Sequence, residues 1–169
     1  MTEFQKYIQR YTDLIPTENW LEQMEIFGSE TEQLYCELTE EQANFAYAEG
    51  KWSLKILLQH LIDGEKIFQY RALRFSRNDS SELAGWDEEL YGENNNVENY
   101  ELFELINEFR WSRNLSISFF KKLTPEILQR KGIANGNEIS VETIGKLIVG
   151  HNIHHFNIIK ERYLPLLEK

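Results

Sequence analysis

The sequence predicts an all-α fold, a four-helix bundle, on three observations. Four long segments place apolar residues at three- and four-residue steps, the period of a helix that buries one face. Period-two alternation of the kind that makes strands is nearly absent. A single connection, Asn78 to Asn96, is long and rich in Ser, Gly, Asn and acids, which gives the chain enough length to cross the bundle between its second and third helices.

The first long helix is expected from about Thr17 to Leu38, with Trp20, Met24, Phe27, Thr31, Leu34 and Leu38 on its apolar stripe and Pro16-Thr17 as its start signal. A shorter amphipathic piece with Phe4, Tyr7, Ile8 and Tyr11 precedes it. Ser53 is a good N-cap for the second helix, which runs to about Arg77 over Leu54, Leu57, Leu58, Leu61, Phe68, Ala72 and Phe75. The third is expected from about Val97 to Leu123, on Leu102, Leu105, Ile106, Phe109, Ile117 and Phe120. The fourth opens at Ser140 and reaches about Tyr163, ahead of Pro165. Between them Thr124-Pro125-Glu126, a cap followed by Pro at the first helical position, starts a short helix. Helices of about 20 residues are about 30 Å long, which suits a bundle.

At 169 residues, 41% of them hydrophobic, the chain reads as one domain, 1–169, with an ample core. The formal charge of −10 and the scatter of its basic residues speak against nucleic acid as a partner, because that binding depends on neutralising phosphates. The N-terminus has neither the basic region nor the apolar run of a signal peptide, and no run of 18 apolar residues occurs, so a cytoplasmic protein with no membrane segment is expected. Cys36, the single cysteine, can form no intramolecular disulfide; among Leu34, Tyr35 and Leu38 it is expected to be a buried, inert thiol.

Three of the four histidines stand in "GHNIHH", residues 150–155. At about 100° per residue, the fourth helix aligns Ile144, Ile148, His151, His155, Ile158 and Arg162, so two imidazoles lie one turn apart on its apolar face, with His154 towards the edge. Burying imidazole among Ile side chains costs free energy unless its nitrogens find partners. His60 lies on the second helix with Asp63, Ile67, Arg71 and Arg74, and Gly64 leaves room beside it. Three imidazoles from two helices suit zinc or another divalent transition ion. A shared set of hydrogen bonds with no metal accounts for the same pattern, and spacing alone decides nothing between them.

The segments "GKWSLKILLQHLIDGEKIFQYRALRFSRND", "GWDEELY" and "IANGNEISVETIGKLIVGHNIHHFNIIKERYL" resemble the DinB/YfiT-like superfamily of metal-dependent enzymes, in the right order and over about Ile15 to Leu164. The resemblance implies a four-helix bundle, commonly a homodimer, with a metal on one histidine of the second helix and two of the fourth. In this chain those are His60, His151 and His155, and His154 is their neighbour. The family's association with DNA damage implies no DNA binding.

A metal held by neutral imidazoles lowers the pKa of a coordinated water or thiol. The zincin arrangement would need a Glu beside the first histidine, where this chain has Asn152, so that protease chemistry is excluded. A thiol needs no dedicated base, and the resemblance extends to S-transferases that use low-molecular-weight thiols of the bacillithiol type. The expected activity is transfer of such a thiol to a small electrophile, with Zn or Ni, or else Fe or Mn, as the ion. Hydrolysis of a small activated substrate, with Asp63 as base, is the enzymatic alternative; a non-catalytic bundle stabilised by metal, or acting through dimer contacts, is the other. Asp63 is also a candidate to orient His60. Arg71 and Arg74 are candidates for the carboxylates of the thiol, against ordinary ion pairs. Asp87 is either a lid residue or a cap for the loop.

Overall fold

The computed structural model describes residues 1–167. Its elements are α1 (Glu3–Thr12), α2 (Trp20–Cys36), α3 (Glu40–Ala43), α4 (Leu54–Ser76), α5 (Glu88–Glu93), a 3-10 turn at Val97–Asn99, α6 (Leu102–Phe120), α7 (Pro125–Leu128), a hairpin of β1 (Lys131–Ala134) and β2 (Asn137–Ser140), α8 (Val141–Ile158), a π-helical turn at Ile159–Tyr163, and α9 (Leu164–Leu167). The four long helices α2, α4, α6 and α8 form the expected bundle.

Caps set most of their boundaries. The Ser53 side chain accepts from the Ile56 amide and starts α4, and Ser140 does the same for α8 through Thr143. Thr124 accepts from Ile127 ahead of Pro125, as expected for α7. Two starts differ from expectation. Asn19 caps α2, so the helix begins at Trp20 rather than Thr17. A reciprocal box between Glu101 and Glu104 starts α6 at Leu102, which leaves Val97–Asn99 as a separate turn. The last turn expected of α8 is wound as a π-helix instead.

Around the bundle the neighbours run α2, α6, α4, α8 and back to α2, with α1 packed outside α8. Lys55 at the start of α4 bonds the Tyr100 carbonyl just before α6, and Lys66 reaches Glu108 further along, so these two neighbours are parallel. Parallel neighbours cannot be joined by a tight turn. The chain must return along the bundle, and residues 77–101 do so, carrying α5 with them. α4 and α8 are antiparallel: Tyr163 at the far end of α8 bonds the Trp52 carbonyl before α4.

The hairpin was not expected from periodicity, since its strands have four residues each. Its signal is the Asn135-Gly136 turn: both residues have positive φ, 51° and 71°, in a two-residue loop between Ala134 and Asn137. Gly tolerates that backbone because it lacks a Cβ. Leu83 bonds to Ile133 and Asn135, tying the long return segment to the hairpin.

Cys36 corrects the sequence reading. It is exposed, while its neighbour Tyr35 is fully buried with its hydroxyl donating to the Leu54 carbonyl. One residue further along α2 is about 100° of rotation, enough to leave the core.

The centre of the bundle is not wholly apolar. Glu65 of α4 and Arg113 of α6 are both buried and make a bidentate pair, Nε–Oε1 at 3.0 Å and Nη2–Oε2 at 2.9 Å. Ser116 donates to the same carboxylate and Arg113 also donates to the Met24 carbonyl, so one cluster joins α2, α4 and α6. Removing one partner leaves an uncompensated buried charge. Glu65→Ala is therefore expected to cost about 3–5 kcal/mol in urea unfolding. Replacing both partners with apolar residues, Glu65→Leu with Arg113→Met, should recover much of that loss, and a single variant within experimental error of wild type would contradict this account.

Candidate metal centre

His60 and His151 are buried, and His155 reaches them from the next turn of α8. Because α4 and α8 are antiparallel neighbours, one imidazole from α4 meets a pair from α8 in the space between them. The three Nε2 atoms form a triangle: His60–His151 2.8 Å, His151–His155 3.1 Å, His60–His155 3.2 Å. Among the described residues they are the group able to hold a metal ion.

Hydrogen bonding alone does not satisfy this triangle. In a neutral imidazole Nε2 is either a donor or an acceptor, never both. Three atoms of two kinds in mutual contact must include at least one pair of the same kind. A cation facing three lone pairs removes the conflict. Ligand nitrogens about 2.0–2.1 Å from one ion, at angles of 90° to 110°, stand about 2.8–3.4 Å apart, which brackets all three edges. The donor set therefore fits a divalent transition metal.

Burial holds the imidazoles in the neutral form that ligation requires. Desolvation, then the charge of His154, pushes His60 down to about 4. His151 and His155 lie well below the ordinary histidine range, again from burial first and then from their histidine neighbours. Aromatic rings supply much of this shielding. Trp52 lies 4.8 Å from the His60 ring, Trp86 stacks on it at 5.9 Å, and Tyr11 and Phe68 stand edge-on to His151. Nδ1 of His60 and of His155 is buried without a partner, so the second-sphere acceptor usual for a metal-bound histidine is missing at both.

The other sequence candidates separate from one another. Asp63 does not orient His60, whose buried Nδ1 has no partner: about 60° around α4 from His60, it lines a different cavity with Lys66 and Glu108 on the α6 side. Partial burial raises its pKa there. Arg74 is an ordinary surface group paired with Asp79 and Tyr70. Arg71 donates to the Ala84 carbonyl at 2.9 Å and lines a cavity of 540 Å³ beside the centre. His154, half-buried, faces Arg10 and Tyr11 rather than the triangle. Asp87 is a cap, accepting from the Glu89 and Leu90 amides at the start of α5. Asn152 is turned away and donates to Thr31.

Sequence reasoning missed Trp52, Trp86, Glu88 and Glu89. Trp86 walls the 540 Å³ cavity, and Glu88 and Glu89 stand at its edge. Glu89 also lines a smaller cavity of 190 Å³ that reaches His155 and includes Lys51 and Arg162. Partial burial, then the Glu89 and Asp87 carboxylates, raises the Glu88 pKa.

The DinB superfamily model matches residues 23–159. The chain belongs to the DinB superfamily. A protein of Oceanobacillus iheyensis described as a "putative metal-dependent hydrolase" is 28% identical over 148 residues, covering 83% of this chain and 82% of that one. YfiT from Bacillus subtilis, described as "a probable metal-dependent hydrolase with an unusual four-helix bundle topology", superposes with a TM-score of 0.78 at 17% identity, over 98% of this chain and 90% of YfiT. That likeness establishes the DinB fold. The buried three-histidine group, together with these relatives, points to a divalent metal. No helix among the described residues is long and apolar enough to cross a membrane.

The space at Gly64 matters to the triangle. A Cβ built there would lie 3.3 Å from His151 Cε1 and 3.7 Å from the Trp86 ring. Gly64→Val is expected to displace His151 and weaken zinc binding about tenfold or more, the usual cost of disturbing a ligand's supports. Competition with a chromophoric chelator measures this, with circular dichroism confirming the helices; unchanged affinity would mean that His151 is not held in place there.

Proposed function

We propose that this DinB protein is a metal-dependent enzyme joining a low-molecular-weight thiol of the bacillithiol type to a small electrophile, with His60, His151 and His155 as the metal ligands. The observation that carries this reading is the convergence of three neutral imidazole nitrogens at a cavity lined by His155, with a second cavity one aromatic ring away behind Trp86 and Phe68. Zinc or nickel, or iron or manganese, bound there would supply Lewis acidity that lowers the pKa of a thiol or water.

The residues of the chain divide the remaining work. Neutral imidazoles would leave the positive charge of a bound ion undiminished, which would favour the thiolate form of the thiol. Lys51 and Arg162 line the small cavity that reaches His155 and suit the carboxylates of the thiol, in place of Arg74, which Asp79 and Tyr70 engage. Trp52 and Trp86 exclude water, which would otherwise compete as nucleophile. Sulfur bonds to carbon as the leaving group departs, and the proton of the thiol passes to Glu89 or solvent. The homodimer expected from the resemblance belongs to the same proposal; exposed Phe103, Trp111 and Leu115 on α6 are apolar surface that such a dimer would cover.

Hydrolysis is the second reading. The carboxylates of Glu88 and Glu89 favour it, because they offer the general base that Asn152 does not. An assay of bacillithiol with a haloalkyl fluorogenic electrophile, on zinc-reloaded and chelator-stripped protein, separates the two. Metal-dependent conjugation that falls to the uncatalysed rate in His155→Leu is the expected result. Metal-dependent ester hydrolysis without conjugation would replace the first reading by the second, and neither activity would leave a non-catalytic metal-binding bundle.

A further inference from the structure

We infer that the 540 Å³ cavity is a binding site for a small monocarboxylate with an apolar body, its carboxylate held by Arg71, and that this ligand is the electrophilic partner at the metal centre. Its role as substrate rests on the function proposed above; its binding does not.

Two features of the cavity select this chemistry. Phe4, Phe68, Trp86, Ile144 and Leu147 give it apolar walls, and its volume is that of a small-molecule site. Arg71 is the cation among the residues that line it. The guanidinium is half-buried, and among the described residues its hydrogen bonding is limited to one bond from Nη2 to the Ala84 carbonyl. In contrast, Arg74, Arg110, Arg113 and Arg130 each have a carboxylate within ion-pair distance, and Arg10, Arg77 and Arg162, which have none among the described residues, are exposed to solvent. In a chain with 28 acidic and 18 basic residues, a partly desolvated arginine left without such a partner is out of keeping with its surroundings. Its planar fork of donors matches a carboxylate supplied from outside.

Acidic groups do not neutralise it from within. Asp87, Glu88 and Glu89 also line the cavity, but none lies within ion-pair distance of Arg71, and Asp87 is occupied in capping α5. Their presence orients the ligand: the carboxylate goes to Arg71 and away from α5. The apolar body then lies against Phe68 and Trp86, the two rings that also border His151 and His60. A ligand so placed is one aromatic ring away from the metal ligands.

Calorimetric titration of the full chain with phenylbutyrate, its amide and the corresponding amine tests this, on both zinc-loaded and metal-stripped protein. The acid should bind about tenfold or more tighter than the amide, the scale of a charged hydrogen-bonded contact, in both forms of the protein. Arg71→Gln should abolish that preference and Arg74→Gln should leave it intact. Equal binding of acid and amide by wild type, tightest binding of the amine, no binding of any probe, or a preference that disappears with the metal would each overturn the inference without recourse to a variant. The two proposals fail separately. Metal-dependent thiol transfer without a carboxylate preference would remove this one alone, and a carboxylate preference without metal-dependent turnover would remove the proposed reaction and leave the binding site.

Discussion

Three imidazole nitrogens held 2.8–3.2 Å apart in the interior of a bundle are a constraint that much of the remaining architecture serves. They cannot all be hydrogen-bond partners of one another, so a cation is what reconciles them. The triangle forms only if α4 and α8 are antiparallel neighbours in a register that sets His60 against His151 and His155. Gly64 must stay small to leave His151 its place. The buried Glu65–Arg113 pair fixes α4 against α6 and α2 one residue along from Gly64, where a shift would be felt directly at the centre.

The same constraint gives the long return segment its part. Since α4 and α6 run parallel, the chain between them has to come back along the bundle, and on the way it lays Trp86 over His60 and brings Glu88 and Glu89 to the edge of the cavities. A connection imposed by topology thus supplies shielding and carboxylates to a site whose histidines all come from helices. The result is a set of histidines fixed by helices beside walls contributed by a loop and cavities.

Much of this was legible in the sequence because helical periodicity is a strong, local signal. Ser53, Ser140 and Thr124-Pro125 announced their helices, and the His-x3-His spacing placed two histidines on one face. What escaped was of three kinds. Short elements such as the hairpin have too few residues to show a period, although Asn135-Gly136 marks the turn. Rotational position was misjudged by one residue at Cys36, near the end of α2, and by about 60° at Asp63, whose side chain leaves the histidines for another cavity. Trp86 sits in a loop and Glu88 at the start of the six-residue α5, too short for periodicity to state which way a side chain points.

The central claim is that the histidine triangle exists to hold a metal. Its most direct test is elemental mass spectrometry on the protein purified without a nickel column, beside a His151→Leu variant. The account predicts near one divalent transition ion per chain in the wild type and none in the variant. A wild-type protein that stays metal-free after incubation with zinc and with nickel would contradict it.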